Sequence, residues 1–222
     1  MSKFVLIFSV VFSAFQANGQ ENRLSFGSAF SIDKYNFNFK PFDGIEQTQK
    51  TDLAYSFGLR LQYDIHDKMS LRSGVMYSGR TYKTMYAFSP ISSGDPSIPR
   101  SSSLNLSYLS IPLMIGFNVL KNEKFTLMPS AGFVSEFLLA RTETSIFEDN
   151  SNSASDFLSR NLASILYSTQ VNVGVEYHFS RKVYLTFEPY LRYGLNTWDD
   201  EIMNSNPVSY GALLSINYRC LK

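Results

Sequence analysis

The sequence is poor in several features that mark common protein classes. Its 222 residues include one cysteine, one tryptophan and two histidines. A single cysteine excludes an internal disulfide framework. Runs of about 20 apolar residues are absent, which excludes a bundle of membrane-spanning helices. Neither sign of charge is in excess, because 20 Lys and Arg against 19 Asp and Glu give a formal net charge of +1. The basic excess typical of nucleic-acid-binding proteins is therefore absent.

Aromatic residues are what the sequence has in abundance. It contains 14 Tyr and 19 Phe, 44% of its residues are hydrophobic and 18% are charged, yet its mean hydropathy is −0.11. An intrinsically disordered chain would be poor in aromatic residues, so this composition excludes one. The fold must therefore accommodate many aromatic side chains without a long apolar run.

The first 19 residues are typical of a secretory signal peptide. Lys3 supplies a positive start, residues 4–15 are mainly apolar, and Ala17 and Gly19 form a small-x-small cleavage site. The apolar segment is too short to span a bilayer comfortably, which disfavours the alternative of a membrane anchor. We expect a signal peptide at 1–19 and one exported domain at 20–222.

Alternation of apolar and polar residues dominates the chain after residue 23. Along 53–65 every second residue from Leu53 to Ile65 is apolar, and small or polar residues lie between them. Successive side chains of a strand point to opposite faces, so the pattern predicts strands with one apolar face. Such segments lie at 24–33, 53–65, 69–83, 108–120, 125–140, 164–179, 183–197 and 208–219.

The connections between these segments alternate in length. Short turns at 66–68, 121–124 and 180–182 separate long loops at 34–52, 84–107, 141–163 and 198–207. An up-and-down sheet places all the short turns at one end, as in outer-membrane barrels with periplasmic turns and external loops. The prediction is an all-β, eight-stranded antiparallel up-and-down transmembrane β-barrel in the cell outer membrane, with both termini periplasmic.

Alternation alone also fits a soluble lipocalin-like barrel, whose apolar face lies inside. The polar strand faces, however, carry arginines and carboxylates rather than lysines, and arginine suits crowded paired sites. We expect these charges to share one layer of a lumen filled by side chains, as a structural plug; a gated pore or proton path is the alternative. The predicted lumen charge network comprises Arg60, Asp64, Arg72, Arg80, Glu136, Glu176, Glu188 and Arg192.

Tyrosine spacing favours lipid outside the barrel. Tyrosines bracket the apolar faces of three segments at separations that suit an apolar band about 25 Å tall with aromatic girdles. The predicted aromatic girdle comprises Tyr55, Tyr63, Tyr167, Tyr177, Trp198, Tyr210 and Tyr218.

The alternation changes phase at 33–34 and at 107–108. A β-bulge, or a strand that extends above the membrane, would account for each change.

Several short motifs resemble those of the PorT-like family of outer-membrane β-barrels. They are Tyr108-Leu109-Ser110-Ile111-Pro112-Leu113, Ala131-Gly132-Phe133, Gly174-Val175-Glu176-Tyr177, Glu188-Pro189-Tyr190 and Tyr193-Gly194-Leu195. The resemblance implies a small eight-stranded outer-membrane protein. One relative takes part in protein secretion and surface motility machinery, but the motifs indicate a barrel family rather than an activity.

The sequence offers little for catalysis or metal binding. Barrel enzymes that act on lipids place a histidine, a serine and a carboxylate near the outer leaflet, whereas His66 and His178 lie at the predicted periplasmic end. The acidic residues of the long loops lack the spacing of a calcium-binding loop. We expect no enzymatic activity, no metal and no cofactor, and an inert thiol at Cys220.

These observations predict a structural or interaction component of the cell envelope, in contact with outer-membrane lipid. A protein partner, such as one in a secretion assembly, would contact the loops at 34–52, 84–107, 141–163 and 198–207. The alternatives are a narrow channel for ions or small solutes and, third, a soluble lipocalin-like carrier.

Overall fold

The computed structural model describes residues 24–36, 45–88, 101–146, 152–154, 163–197 and 206–220. Long strands account for most of these residues. The strands are β1 (Leu24–Asn36), β2 (Ile45–Thr51), β3 (Ala54–His66), β4 (Met69–Phe88), β5 (Ser101–Phe117), β6 (Leu120–Lys121), β7 (Phe125–Ile146), β8 (Asn152–Ala154), β9 (Ile165–His178), β10 (Val183–Gly194) and β11 (Val208–Arg219). Among the described residues, no helix has the length and apolar character to cross a membrane.

Eight of these strands close into an antiparallel barrel, as predicted. Around the barrel the order is β1, β3, β4, β5, β7, β9, β10, β11 and back to β1. Closure is made by β1 and β11, which pair from Ser25 with Arg219 to Asn36 with Val208. Each barrel strand therefore has a hydrogen-bonded neighbour on both sides, which a sheet surrounded by lipid requires.

The two faces of the strands differ in chemistry. Residues such as Leu59, Phe133 and Val171 point outward, and more than half of each side chain's surface is exposed. Residues on the opposite face, such as Ser56 and Gln170, are buried in the lumen. The period of two in the sequence thus separates an apolar outer wall from a polar interior. This is the reverse of a lipocalin-like barrel, whose apolar face lies inside.

Three of the predicted long loops contain strand residues, which corrects the expectation from sequence. The segment 34–52 holds β2, the segment 84–107 holds the end of β4 and the start of β5, and the segment 141–163 holds the end of β7 and β8. These stretches are rich in Ser and Thr and lack a continuous apolar outward face, so the periodicity of the outward residues does not reveal them. Ladder hydrogen bonds to neighbouring strands make them extended instead. The prediction for 208–219 matches β11.

The extra strand residues give the barrel walls unequal heights. β4, β5 and β7 have 20, 17 and 22 residues, whereas β9, β10 and β11 have 14, 12 and 12. The taller side ends at β2, which pairs with β4, and at β8, which pairs with β7. We call this extension the raised wall; it comprises β2, 82–88 of β4, 101–107 of β5, 140–146 of β7, and β8.

Both phase changes mark the place where the apolar residues of a strand change from one face to the other. At 33–34, β1 keeps an unbroken register with β11 through Asn36, and Tyr35 is buried on the lumen side beside the strand's other inward residues. The strand is therefore extended, and the alternative of a bulge there is wrong. At 107–108, β5 also keeps its alternation, since Leu106, Tyr108 and Ser110 are all buried on the lumen side. A β-bulge does lie beside this position, because Ser107 pairs with Ala140 and Tyr108 with Leu138. The extra residue of that bulge is Leu139 on β7.

Glycines allow neighbouring strands to approach closely on the lumen side. A Cβ atom on Gly132 would lie 2.7 Å from the Cα of Met114 and closer still to the carbonyl oxygen of Leu113. A Cβ on Gly58 would lie 2.6 Å from the Cα of Met76. These contacts are with backbone atoms, so a larger side chain would force the two strands apart.

Gly132→Val should therefore destabilise the barrel by about 1–3 kcal/mol, the usual cost of overpacking. Ala131→Val is the matched control, because Ala131 is the neighbouring residue and is exposed on the outer face. Urea unfolding in detergent micelles measures both variants. Equal stability of the two would contradict the close approach at Gly132.

Candidate functional site

The lumen contains two clusters of buried charge, and the first is centred on Glu188 of β10. Its Oε1 accepts hydrogen bonds from Arg60 of β3, at 2.6 Å, and from Arg72 of β4. Its Oε2 accepts from the Asn172 amide at 3.2 Å, and Arg60 also donates to the Ser215 hydroxyl at 3.3 Å. Glu188 and Arg72 are each 2% exposed, so water contributes little to solvating this cluster.

The second cluster is centred on Glu136 of β7. Its Oε1 accepts from Arg80 of β4, from Arg192 of β10 at 2.9 Å, and from the Ser110 hydroxyl at 3.1 Å. The Arg80 guanidinium also lies over two tyrosine rings, 3.9 Å from the centroid of Tyr35 and 4.6 Å from that of Tyr108. Cation–π contacts of this kind are favourable in a desolvated site.

Two amide side chains of β9 connect the clusters. Arg192 donates from Nε to Gln170 at 2.9 Å, and Gln170 donates to Asn172 at 2.9 Å. Asn172 completes the connection by donating to Glu188. The two carboxylates thus belong to one hydrogen-bonded network. Neither amide was predicted as a site residue, although both side chains point to the lumen in the same alternation of β9 as that of Glu176.

A third level of polar residues lies toward the short turns. Gln62 donates to Asp64 at 3.2 Å and to Glu176 at 3.4 Å. His178 lies 3.7 Å from Glu176 and 3.1 Å from the Thr126 hydroxyl. Within the part of the chain that the structure describes, Glu176 and Asp64 form no ion pair with an arginine.

The eight predicted lumen charges therefore lie on the lumen side at three levels rather than in one layer. Six of them form the two buried clusters: Arg60, Arg72 and Glu188, and Arg80, Arg192 and Glu136. The other two, Asp64 and Glu176, lie at the third level. The strand phase identified the inward residues, but the level of each depends on the pairing between strands.

An apolar layer closes the lumen on the side of the long connections. Its residues lie near the ends of their strands at that side and are at most 5% exposed. We call it the tyrosine–leucine cap; it comprises Tyr35, Ala54, Tyr82, Leu104, Leu106, Tyr108 and Leu166. The cap was not predicted, because Tyr35, Leu104 and Leu106 lie in segments that were predicted to be long loops.

A cavity of about 50 Å³ remains between the two charge clusters. Arg60, Arg72 and Glu188 line it with Arg192 and Ser110. This volume suits a few water molecules rather than a continuous aqueous path.

The predicted girdle tyrosines lie on the outer face at two heights. Tyr55, Tyr167 and Tyr210 lie toward the long connections and are about half exposed. Tyr63, Tyr177 and Tyr218 lie toward the short turns, where Tyr218 and Tyr177 stack against Phe26 and Phe125. Trp198 lies outside the described residues.

Both histidines and the free cysteine lie near the short-turn end of the barrel. His66 is the exposed last residue of β3, and His178 is the last residue of β9, near the same end of the barrel. Within the described ranges, no group of three or more His, Cys, Asp or Glu residues is placed to hold a metal ion. Cys220 is a free thiol at the end of β11.

Most of the sequence matches a family model. That model, the outer membrane protein beta-barrel domain, covers residues 16–200. The chain belongs to this family. A search of curated protein sequences with this chain found no match.

Two solved structures of outer-membrane proteins are similar to this chain at low sequence identity. OprG from Pseudomonas aeruginosa is 11% identical, with a TM-score of 0.52 over 90% of this chain and 97% of that one. The N-terminal β-barrel domain of OprF from the same organism is 12% identical, with a TM-score of 0.47 over 90% and 100% of the two chains. At these identities the likeness to OprG supports the fold and nothing finer.

Family membership decides what surrounds the barrel. The apolar outer face contacts the lipid of the outer membrane, and the polar face fills the lumen. The soluble carrier considered from sequence is therefore wrong.

Glu188→Ala should destabilise the barrel by about 3–5 kcal/mol, because it leaves the Arg60 and Arg72 guanidiniums buried without their carboxylate. Asp52→Ala is the control: its ion pair with Lys83, at 2.7 Å, has both side chains about half exposed, and such pairs contribute about 0–1 kcal/mol. The measurement is the thermal or urea unfolding midpoint in detergent. If the two variants unfold together, the Glu188 cluster does not stabilise the fold.

Proposed function

We propose that this protein is a closed outer-membrane barrel that acts as a structural or interaction component of the cell envelope and has no enzymatic activity. The observation that carries the proposal is the occluded lumen. Three levels of polar contacts and the tyrosine–leucine cap fill the interior. The raised wall is then the surface that we assign to partner binding. Both histidines lie near the short turns, away from the raised wall, which supports the absence of a histidine-based lipid hydrolase.

The arrangement of the strands supports occlusion. In the ring of eight strands, β4 and β10 lie on opposite sides, four positions apart. The ion pair between Arg72 and Glu188 therefore crosses the middle of the lumen. Eight strands leave an interior just wide enough for side chains to fill. A solute would have to break buried charge pairs to pass.

The raised wall supports a role in binding a protein partner. Its outward residues are mainly polar, with Thr48, Asn105, Thr142 and Thr144 exposed. We therefore assign part of the partner contacts that were expected in the long loops to the strands of the raised wall. A rigid sheet loses less conformational entropy on binding than a flexible loop.

We orient the raised wall to the cell exterior and the termini to the periplasm, because short turns are periplasmic in bacterial barrels.

The motif that begins at Tyr108 lies in β5, where the raised wall meets the membrane-spanning part. Together with the other motifs it supports a PorT-like barrel, and a place in an envelope assembly such as secretion machinery is consistent with that resemblance.

A narrow channel is the second candidate. It is favoured by the cavity between the clusters and by a chain of hydroxyls that leads from Ser56 through Ser78 and Ser110 to Glu136, with separations of 2.7, 3.0 and 3.1 Å. A channel would need a second state in which these contacts open.

Conductance across a planar bilayer separates the two candidates. The closed barrel should show no steady current, because charge pairs and the tyrosine–leucine cap block the lumen in series. A steady wild-type current that Ser78→Phe abolishes would instead identify a channel. Thr144→Phe on the raised wall is the control, because its added ring lies outside the lumen.

Cysteine labelling tests the orientation. In a Cys220→Ser background, Thr144→Cys should react with a membrane-impermeant maleimide on intact cells, because Thr144 is exposed on the raised wall. Glu123→Cys, in the exposed turn before β7, should react only after the outer membrane is permeabilised. The opposite pattern would reverse the orientation.

A further inference from the structure

Three exposed lysines lie beyond the apolar outer face, on the part of the wall formed by β1, β2 and β4. They are Lys34 of β1, Lys50 of β2 and Lys83 of β4, and together we call them the lysine patch. Lys34 lies two residues beyond Ile32, which pairs with the girdle residue Tyr55. At about 3.3 Å per residue and a tilt of about 40°, Lys34 stands about 5 Å above the girdle.

The other two lysines stand at a greater height and face each other. Tyr55 pairs with Gly79 of β4, and Lys83 lies four residues further along, about 10 Å higher. Lys50 and Lys83 are direct partners in the register of β2 and β4. Because Cβ atoms of such pairs are about 5 Å apart and like charges opposite each other are destabilising, a shared anion would stabilise this pair.

The charge of the patch is only partly neutralised. Asp52 forms an ion pair with Lys83, 2.7 Å from Oδ2 to Nζ. Among the side chains that the structure describes, no other ion pair involves these lysines. The exposed Thr48 adds a hydroxyl donor on β2.

We propose that the lysine patch binds the phosphate groups of lipid headgroups in the outer leaflet of the outer membrane. Lys50 and Lys83 share one phosphate, and Lys34 contacts the headgroup region nearer the acyl chains. The assignment rests on the proposed orientation, which puts the patch at the outer interface. Lipid is favoured over a protein partner because the patch is continuous with the lipid-facing wall below it.

Lipid A binding tests this assignment. The purified barrel in a zwitterionic detergent is titrated with diphosphoryl lipid A, and bound lipid is counted by native mass spectrometry. Wild type should prefer diphosphoryl lipid A to its dephosphorylated form. Each lysine near an anionic membrane surface contributes about a fivefold gain in binding affinity. The affinity for lipid A should therefore fall about fivefold for Lys34→Gln and about 30-fold for Lys50→Gln combined with Lys83→Gln.

The matched control combines Lys121→Gln with Lys124→Gln, two exposed lysines at the opposite end of the barrel, and should bind like wild type. All variants must first show the folded band on an unheated gel. Equal affinity for the two lipids, or an unchanged Lys50 and Lys83 double variant, would overturn the proposal. Displacement of lipid A by millimolar inorganic phosphate would indicate a free-anion site and overturn the lipid assignment.

Failure of the proposed orientation gives a separate result. If Thr144→Cys is labelled only after permeabilisation while the Lys50 and Lys83 variant still loses lipid A, the phosphate site stands and its outer-leaflet assignment falls. If labelling supports the orientation but lipid A binding does not depend on the patch, the lysine assignment alone is wrong.

Discussion

The constraint behind this structure is that lipid offers no hydrogen bonds to the backbone. Every amide and carbonyl in the membrane must find a partner in the protein. The chain meets this requirement by pairing each strand on both sides, and the last pairing is made between residues nearly 200 positions apart, such as Ser25 and Arg219. Closure then defines an inside too narrow for bulk water, and the lumen chemistry follows from that confinement.

Confinement explains why the lumen charges occur in shared clusters. A buried charge is costly unless it is paired and hydrogen-bonded. Each of Glu136 and Glu188 accepts from two arginines, and Gln170 with Asn172 connects one carboxylate's surroundings to the other's. Because the partners come from strands that are not neighbours in the ring, and Arg72 and Glu188 from strands on opposite sides of it, these contacts hold the barrel across its width. The backbone ladder holds it around its circumference.

The sequence predicted the parts of this design that depend on local periodicity. The strand count and the inward phase of residues such as Glu188 follow from a repeat of two. The raised wall was missed because stretches such as 101–103 are serines, whose strand conformation is set by neighbours rather than by an apolar face. Which carboxylate meets which arginine was also beyond reach, since it depends on the stagger between distant strands. Gln170 and Asn172 could have been found, because they share the phase that identified Glu176.

The unequal wall heights have a consequence for how the molecule sits among its neighbours. A barrel of uniform height looks the same from every direction in the membrane plane. This one has a front, formed by β4, β5 and β7, and a low back, formed by β9, β10 and β11. A partner that binds the front therefore also fixes the rotation of the barrel about the membrane normal. The strands at the back are then presented, in a fixed direction, to whatever lies beside it in the membrane.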